Sequence, residues 1–261
     1  MTLNIIESPV PTQGELAYRT LRRMIVDCEF APGSSVSEPE LTQLVGQGKA
    51  AVRSALLRLS HDGLITAVPR FGYRIAPLDI KDALELTQLR LLTEPSAIRL
   101  ATGRLDPMVI QLARKRYAAG YDWKNPKAVT RYLTYSREFK LAFARASGNG
   151  RLALWIEEVS EQIDRYLRIG AMSSSELPPT IAAHLLPVCD AMLDGRAEDA
   201  EVLATENILA VTARILSALF RPHERASEFA FTGADIASML GLKRKGPISP
   251  VGPEPRARKA A

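Results

Sequence analysis

Cysteine and histidine are scarce, with two Cys and three His in 261 residues. Cys28 and Cys189 lie too far apart to suggest a disulfide framework or a Cys-x-x-Cys zinc site, so both are expected as free thiols. The Glu-x-x-His pairs of a di-iron bundle are missing. No Ser/His/Asp or Cys/His set can be assembled convincingly, and enzyme chemistry has no positive support. No uninterrupted apolar run approaches the roughly 20 residues of a membrane span. The opening MTLNIIESPVPTQGE lacks the basic-then-apolar layout of a signal peptide. A cytoplasmic chain without a membrane partner is expected.

What is present fits a soluble protein with room for two ordinary domains or one large one, 46% apolar and 24% charged. The net charge of +5 is unevenly placed. It divides into +1 over residues 1–78, −1 over 79–241 and +5 over 242–261. The last stretch, LKRKGPISPVGPEPRARKAA, is Pro- and Gly-rich with few apolar residues and is expected to be disordered. Its basic charge offers attraction to phosphates, but solubility alone would also explain it. Bulk charge therefore does not argue for nucleic acid; local placement has to.

Local placement does so in the first 78 residues. ELAYRTLRRMIVDCEF has Leu16, Leu21, Met24 and Ile25 at helical intervals. After the APGSS turn, SEPELTQLVG reads as a second helix. Ser37 and Glu40 form a capping box, Pro39 sits in the first turn, and Gly46 ends it. GQGKAAVRSALLRL then buries Val52, Ala55, Leu56 and Leu59 on one face and sets Lys49 and Arg53 on another, among small residues. Two short helices across a tight Gly-containing turn make a helix-turn-helix. LITAVPRFGYRIAPL follows as a hairpin with Arg70, Phe71 and Gly72 near its tip, which completes a winged helix. The slim, basic start of a recognition helix suits the major groove. Gln47, Lys49, Ala50 and Arg53 are the candidate readers there, and Arg70, Phe71, Gly72 and Arg74 are the candidates on the wing.

APGSSVSEPELTQLVGQGKAAVRSALLRLSHDGLI resembles, in register and without gaps, the DNA-binding domain of the GntR family of bacterial transcription regulators. The departures lie at the start of the recognition helix. Gly48-Lys49-Ala50-Ala51 stands where the family has Ser-Arg-Thr-Pro, and Ser54 stands where it has Glu. Lost are a hydroxyl and a bidentate guanidinium fork; Arg53 is retained.

From Asp79 to about Pro222, amphipathic helices are expected near 79–103, 106–121, 126–147, 150–173, 178–194 and 196–221, with a kink at Pro95 and a short helix near 232–240. The fold class is mainly α: an N-terminal winged helix-turn-helix and an all-α bundle. The divisions are a flexible 1–14, a DNA-binding domain at 15–78, a bundle at 79–222, an extension at 223–241 and a basic tail at 242–261. ALELTQLRLLTEPSAIRLA and FARASGNGRLALWIEEV resemble the ligand-binding domain of the FadR-type branch. That resemblance implies a homodimer on operator DNA, usually a repressor released by a small-molecule effector. An activator, or a regulator whose effector strengthens binding, would share the same sequence features. A bundle enzyme carrying a winged-helix appendage is the reading from another class.

The resemblance also implies a divalent metal held by one Asp and three His. Those positions fall on Ser136, Lys140, Leu185 (with His184 one residue off) and Asn207, so no ligand is matched and no metal or cofactor is expected. Instead, Arg90 and Lys140 fall on inward stripes. Two readings stay open. In one, Arg90 and Lys140 bind a carboxylate-type anion, with Ser136, His184 and Asn207 beside them. In the other, Arg90 pairs with Glu94 or another acid and Lys140 snorkels to solvent. Trp155, Arg165 and Tyr166 on the fourth bundle helix are candidates either for a pocket border or, for the aromatics, for the core.

Overall fold

The structure is a computed structural model that describes residues 11–122, 124–173, 185–220 and 231–242. The expected disordered tail beyond 242, residues 1–10, the 178–184 part of one expected helix and His184 lie outside the described residues.

The first unit opens with α1 (Gln13–Val26), whose N-cap is Thr12; the Glu15 N–H donates to its hydroxyl at 3.2 Å. This cap and the start of α1 fall inside the stretch read as flexible to residue 14. A short strand β1 (Ser35–Val36) leads to α2 (Glu38–Val45). Ser37 and Glu40 close the capping box from both sides, and Gly46 ends the helix at φ +68°, a left-handed conformation that glycine adopts at no steric cost. α3 (Lys49–His61) follows after three residues, its N-cap Gly48 supplying no side-chain bond. Strands β2 (Ile65–Val68) and β3 (Gly72–Ile75) form the hairpin, and β3 also pairs antiparallel with β1. The sheet order is therefore β1-β3-β2. β1 was not foreseen, because two residues are too few to show an alternating pattern. Ala17, Leu21, Ile25, Val52, Leu56 and Leu59 close this core between α1 and α3.

The bundle comprises α4 (Ile80–Ala101), α5 (Pro107–Ala119), α6 (Pro126–Ala146), α7 (Gly150–Ser173), α8 (Leu186–Leu193), α9 (Ala197–Phe220) and α10 (Gly233–Met239). Asp79, Asp106, Asn125 and Thr232 cap their helices through side-chain oxygens. α4 carries the buried Pro95 inside it. α9 is long and apolar enough by composition alone to cross a membrane. Its buried Ala204, Ile208, Val211, Ile215 and Leu216 instead supply the bundle core, and its Thr212 hydroxyl meets that of Thr87 on α4 at 3.0 Å.

One face of α7 holds the winged helix. Arg165 donates to the Ala76 carbonyl at 2.5 Å. The Tyr166 hydroxyl lies 3.2 Å from the Asp79 carbonyl and 2.5 Å from Asp82 Oδ2. Arg168 donates to Asp27, the C-cap of α1, at 2.9 Å and to Thr130 on α6 at 2.7 Å. Arg22 of α1 pairs with Glu161. Arg165 and Tyr166 thus clasp the interdomain connection, whereas Trp155, a candidate for core or pocket, is 56% exposed at the outer surface.

Candidate DNA-recognition face and buried anion cavity

Packing divides α3 cleanly. Val52, Ala55, Leu56 and Leu59 have almost no exposed surface, which leaves Lys49, Ala50, Arg53 and Ser54 facing solvent, with Gln47 half-buried in the turn before them. The free N–H groups of the first turn add a positive end to that face. Arg53 is not idle: its Nε donates to Glu38 Oε1 at 2.8 Å, a contact that spans α2 and α3. An exposed ion pair of this kind holds little energy, so the guanidinium is oriented yet easily released.

The hairpin tip is a tight turn in which the Phe71 N–H donates to the Val68 carbonyl at 3.0 Å. Pro69 precedes Arg70, which takes φ +69°, the left-handed geometry required at the third position of a type II turn. Arg70, Phe71 and Arg74 are all exposed. Gly72, a candidate DNA contact, also has a packing constraint of its own. At φ +96° it lies against β1, where an added Cβ would sit 2.6 Å from the Val36 carbonyl oxygen. Gly72→Ala is therefore expected to destabilise the winged helix by about 1–3 kcal/mol, seen as a lower midpoint in chemical denaturation.

Within the bundle, α4, α5, α6, α7 and α9 surround a cavity of about 30 Å³, the scale of a water molecule. Arg90, Ser136, Lys140 and Asn207 all line it, drawn together from three helices. Glu94, Tyr117 and Tyr132 line it as well. Glu94 entered the sequence reading only as a partner for Arg90, and the two tyrosines went unnoticed because aromatics at helical spacing read as ordinary core.

One half of the second reading is present, the pairing of Arg90 with Glu94. Arg90 is buried and paired within its own helix: Nε donates to Glu94 Oε1 at 2.7 Å and Nη2 to Oε2 at 3.4 Å. Only its Nη1 is left without a partner. Lys140 does not snorkel. It is 7% exposed and makes no hydrogen bond or ion pair among the described residues. Burial pushes its pKa below the usual 10.5, with Arg90 and Arg137 adding to that effect and Glu94 and Asp164 opposing it. For Glu94, burial raises the carboxyl pKa, but Arg90 and Lys140 together outweigh it and hold the group below 4.5. Asn207 Oδ1 is buried without a partner. With Arg90 and Lys140 against Glu94, the cavity has one uncompensated positive charge, which suits an anion.

A divalent cation does not fit. The positions that the family resemblance assigns to ligands present an ammonium, a hydroxyl, an amide and Leu185, and two cations face the same space. Among the described residues, no group of three His, Cys, Asp or Glu side chains could hold a metal ion.

Residues 13–75 match the profile of the bacterial regulatory proteins, gntR family, and residues 85–210 match the FCD domain. The chain belongs to the GntR family. This GntR regulator is 25% identical over 178 residues to an HTH-type transcriptional regulator from an unstable DNA locus of Streptomyces ambofaciens, covering 68% of this chain and 74% of that one. It is 29% identical over 105 residues to the HTH-type transcriptional repressor RspR of Escherichia coli (strain K12), covering 40% and 46%. In fold it is similar to the transcriptional regulator GntR from Rhodococcus sp. RHA1, with a TM-score of 0.62 at 22% identity over 80% of this chain and 99% of that one. The protein is a transcriptional regulator, not an enzyme, with a helical domain behind a winged helix.

Proposed function

We propose that this regulator is a cytoplasmic homodimeric repressor whose grip on operator DNA is set by a small carboxylate-type anion, which binds without metal by widening the water-sized α4–α6–α9 cavity. The observation that carries the ligand class is the buried Lys140 side chain in the same lining as Arg90, whose Nη1 is buried without a hydrogen-bond partner. Isolated buried charge is costly, and an incoming carboxylate supplies the missing partner. Ser136 and Asn207 add polar contacts, and Tyr117, Phe139 and Phe143 exclude water. The repressor reading follows the E. coli repressor that shares part of the sequence. The dimer is part of the same reading, in which two paired heads would meet half-sites about one helical turn apart.

Lys49 and Arg53 reach base edges or phosphates from α3, while Arg70 and Arg74 hold the backbone beside the wing. An anion alters operator affinity only by favouring one pose of the heads over another. α7 offers the route: Leu167 lines the cavity, and its neighbours Tyr166 and Arg168 hold the connection and α1.

Calorimetric titration with a panel of small mono- and dicarboxylates, combined with gel shift on the upstream region of its own gene, tests the proposal. A carboxylate that binds the wild type and weakens the shifted complex is the expected result. Arg53→Ala is expected to weaken operator binding by about 1–3 kcal/mol while the denaturation midpoint hardly moves, because its only described partner is an exposed pair with Glu38. An unchanged shift in that variant would remove α3 from the groove.

A further inference from the structure

We propose that Phe71 at the wing tip is a wedge that enters the base stack, so that this regulator bends the duplex it binds. The inference rests on the DNA-binding reading and adds a mechanical action to it. Phe71 is 75% exposed, and a benzyl group held in water contributes nothing to the folded monomer. Its mounting is stiff on both sides. Pro69 restricts the turn ahead of it, the Phe71 N–H is bonded to the Val68 carbonyl at 3.0 Å, and Arg70 is held at φ +69°, which non-glycine residues adopt at a cost. On the other side, Gly72 is seated against the Val36 carbonyl on β1, and β3 is paired with both neighbouring strands. A ring presented this way has little freedom to fold back onto its own domain.

The surrounding charge selects the partner. Arg70 and Arg74 flank Phe71, both are exposed, and neither makes an ion pair or side-chain hydrogen bond among the described residues. The arginines of α1 and α3 differ: Arg19, Arg22, Arg23, Arg53 and Arg58 all have carboxylate partners. An exposed aromatic between two unengaged guanidinium groups matches a ligand that alternates phosphates with stackable faces. In a minor groove, apolar wedges of this type partly unstack a base step and kink the duplex towards the major groove. Steps that unstack readily, such as TA and CA/TG, would then be preferred under the wing without any hydrogen bond to their edges.

The test uses the full chain and a duplex that it enriches from a random-sequence pool. Bending is read from fragments with a permuted site position. Unstacking is read from the fluorescence of 2-aminopurine placed at successive steps beneath the wing. The wild type is expected to bend the duplex by tens of degrees and to brighten the probe at one step. Phe71→Ser, at an exposed position, is expected to keep its denaturation midpoint, bind the duplex about tenfold more weakly, and lose both signals. Phe71→Leu keeps an apolar wedge and should retain much of the bend. An unbent wild-type complex, or a Phe71→Ser complex as bent as the wild type, overturns the wedge. A change in sedimentation of the free protein with bending unaltered would assign Phe71 to contact with a second copy and overturns it too. Failure to enrich any duplex would instead sink the DNA-binding reading itself.

Discussion

Glu94→Gln is expected to lower the stability of the bundle by about 3–5 kcal/mol, the usual cost of removing one partner from a buried ion pair. Glu94 is 5% exposed and Arg90 3%, and Lys140 adds a second buried cation to the same cavity. Glutamine preserves the volume and removes the only negative charge that lines that space among the described residues. The fall should appear as a lower midpoint in urea with little change in slope. Small anions added to Glu94→Gln are expected to restore part of the loss, since they stabilise whichever state binds them. Combining it with Lys140→Met should recover more than either change predicts alone, because the two side chains share one electrostatic field. The pH dependence has a definite sign. Glu94 titrates below 4.5 in the folded protein, so its contribution is complete above that value and is lost as the pH falls through the lowered folded pKa. The acid limb of the stability profile should therefore be shallower in Glu94→Gln.

Lys140→Met acts in the opposite direction on stability and removes the proposed ligand response. Methionine matches the length of the side chain without a charge to desolvate, so the unliganded protein is expected to gain about 1–3 kcal/mol. Anion affinity is expected to fall by about 10- to 100-fold, the loss of one charge-assisted hydrogen bond in a dry site. Calorimetric titration and thermal denaturation of the same preparation check both halves. A gain in stability with unchanged affinity would exclude Lys140 from the site. A loss of both would make it a structural residue. The wild type should also bind its anion less well as the pH rises towards 10.5. That fall begins below the ordinary lysine value because burial lowers the pKa, with Arg90 and Arg137 acting the same way and Glu94 and Asp164 against it. The corresponding stability change has the opposite sense: a buried base with a lowered pKa costs stability while charged, and the cost fades as the pH passes its folded value. Lys140→Met should show neither trend.

Much of the fold was legible because its signals are local. Ser37 and Glu40 announced the start of α2, Gly46 its end, and the spacing of Val52, Ala55, Leu56 and Leu59 the buried face of α3. The inward positions of Arg90, Ser136, Lys140 and Asn207 followed from helical periodicity and from the matched register, and the fold brings all four to one cavity. What was not legible depended on distant neighbours. Gly72 is placed near a hairpin tip by sequence, but the close approach of Val36, 36 positions earlier and on an unforeseen strand, has no local signal. Trp155 was weighed as core or pocket and stands at the surface, since periodicity cannot show which side of a helix lacks a neighbour.

The amino-acid order alone determined the helix boundaries, the winged-helix register and the absence of imidazoles from the family's metal positions, since caps, turns and spacing act over a few residues. Only the tertiary structure decided which polar groups found partners. Arg53 met Glu38 across a turn, and Arg168 met Asp27 from 141 positions away, while Lys140 met no counter-ion within hydrogen-bonding reach. Pairing depends on distances of a few ångströms between separate helices, and no local pattern encodes such distances.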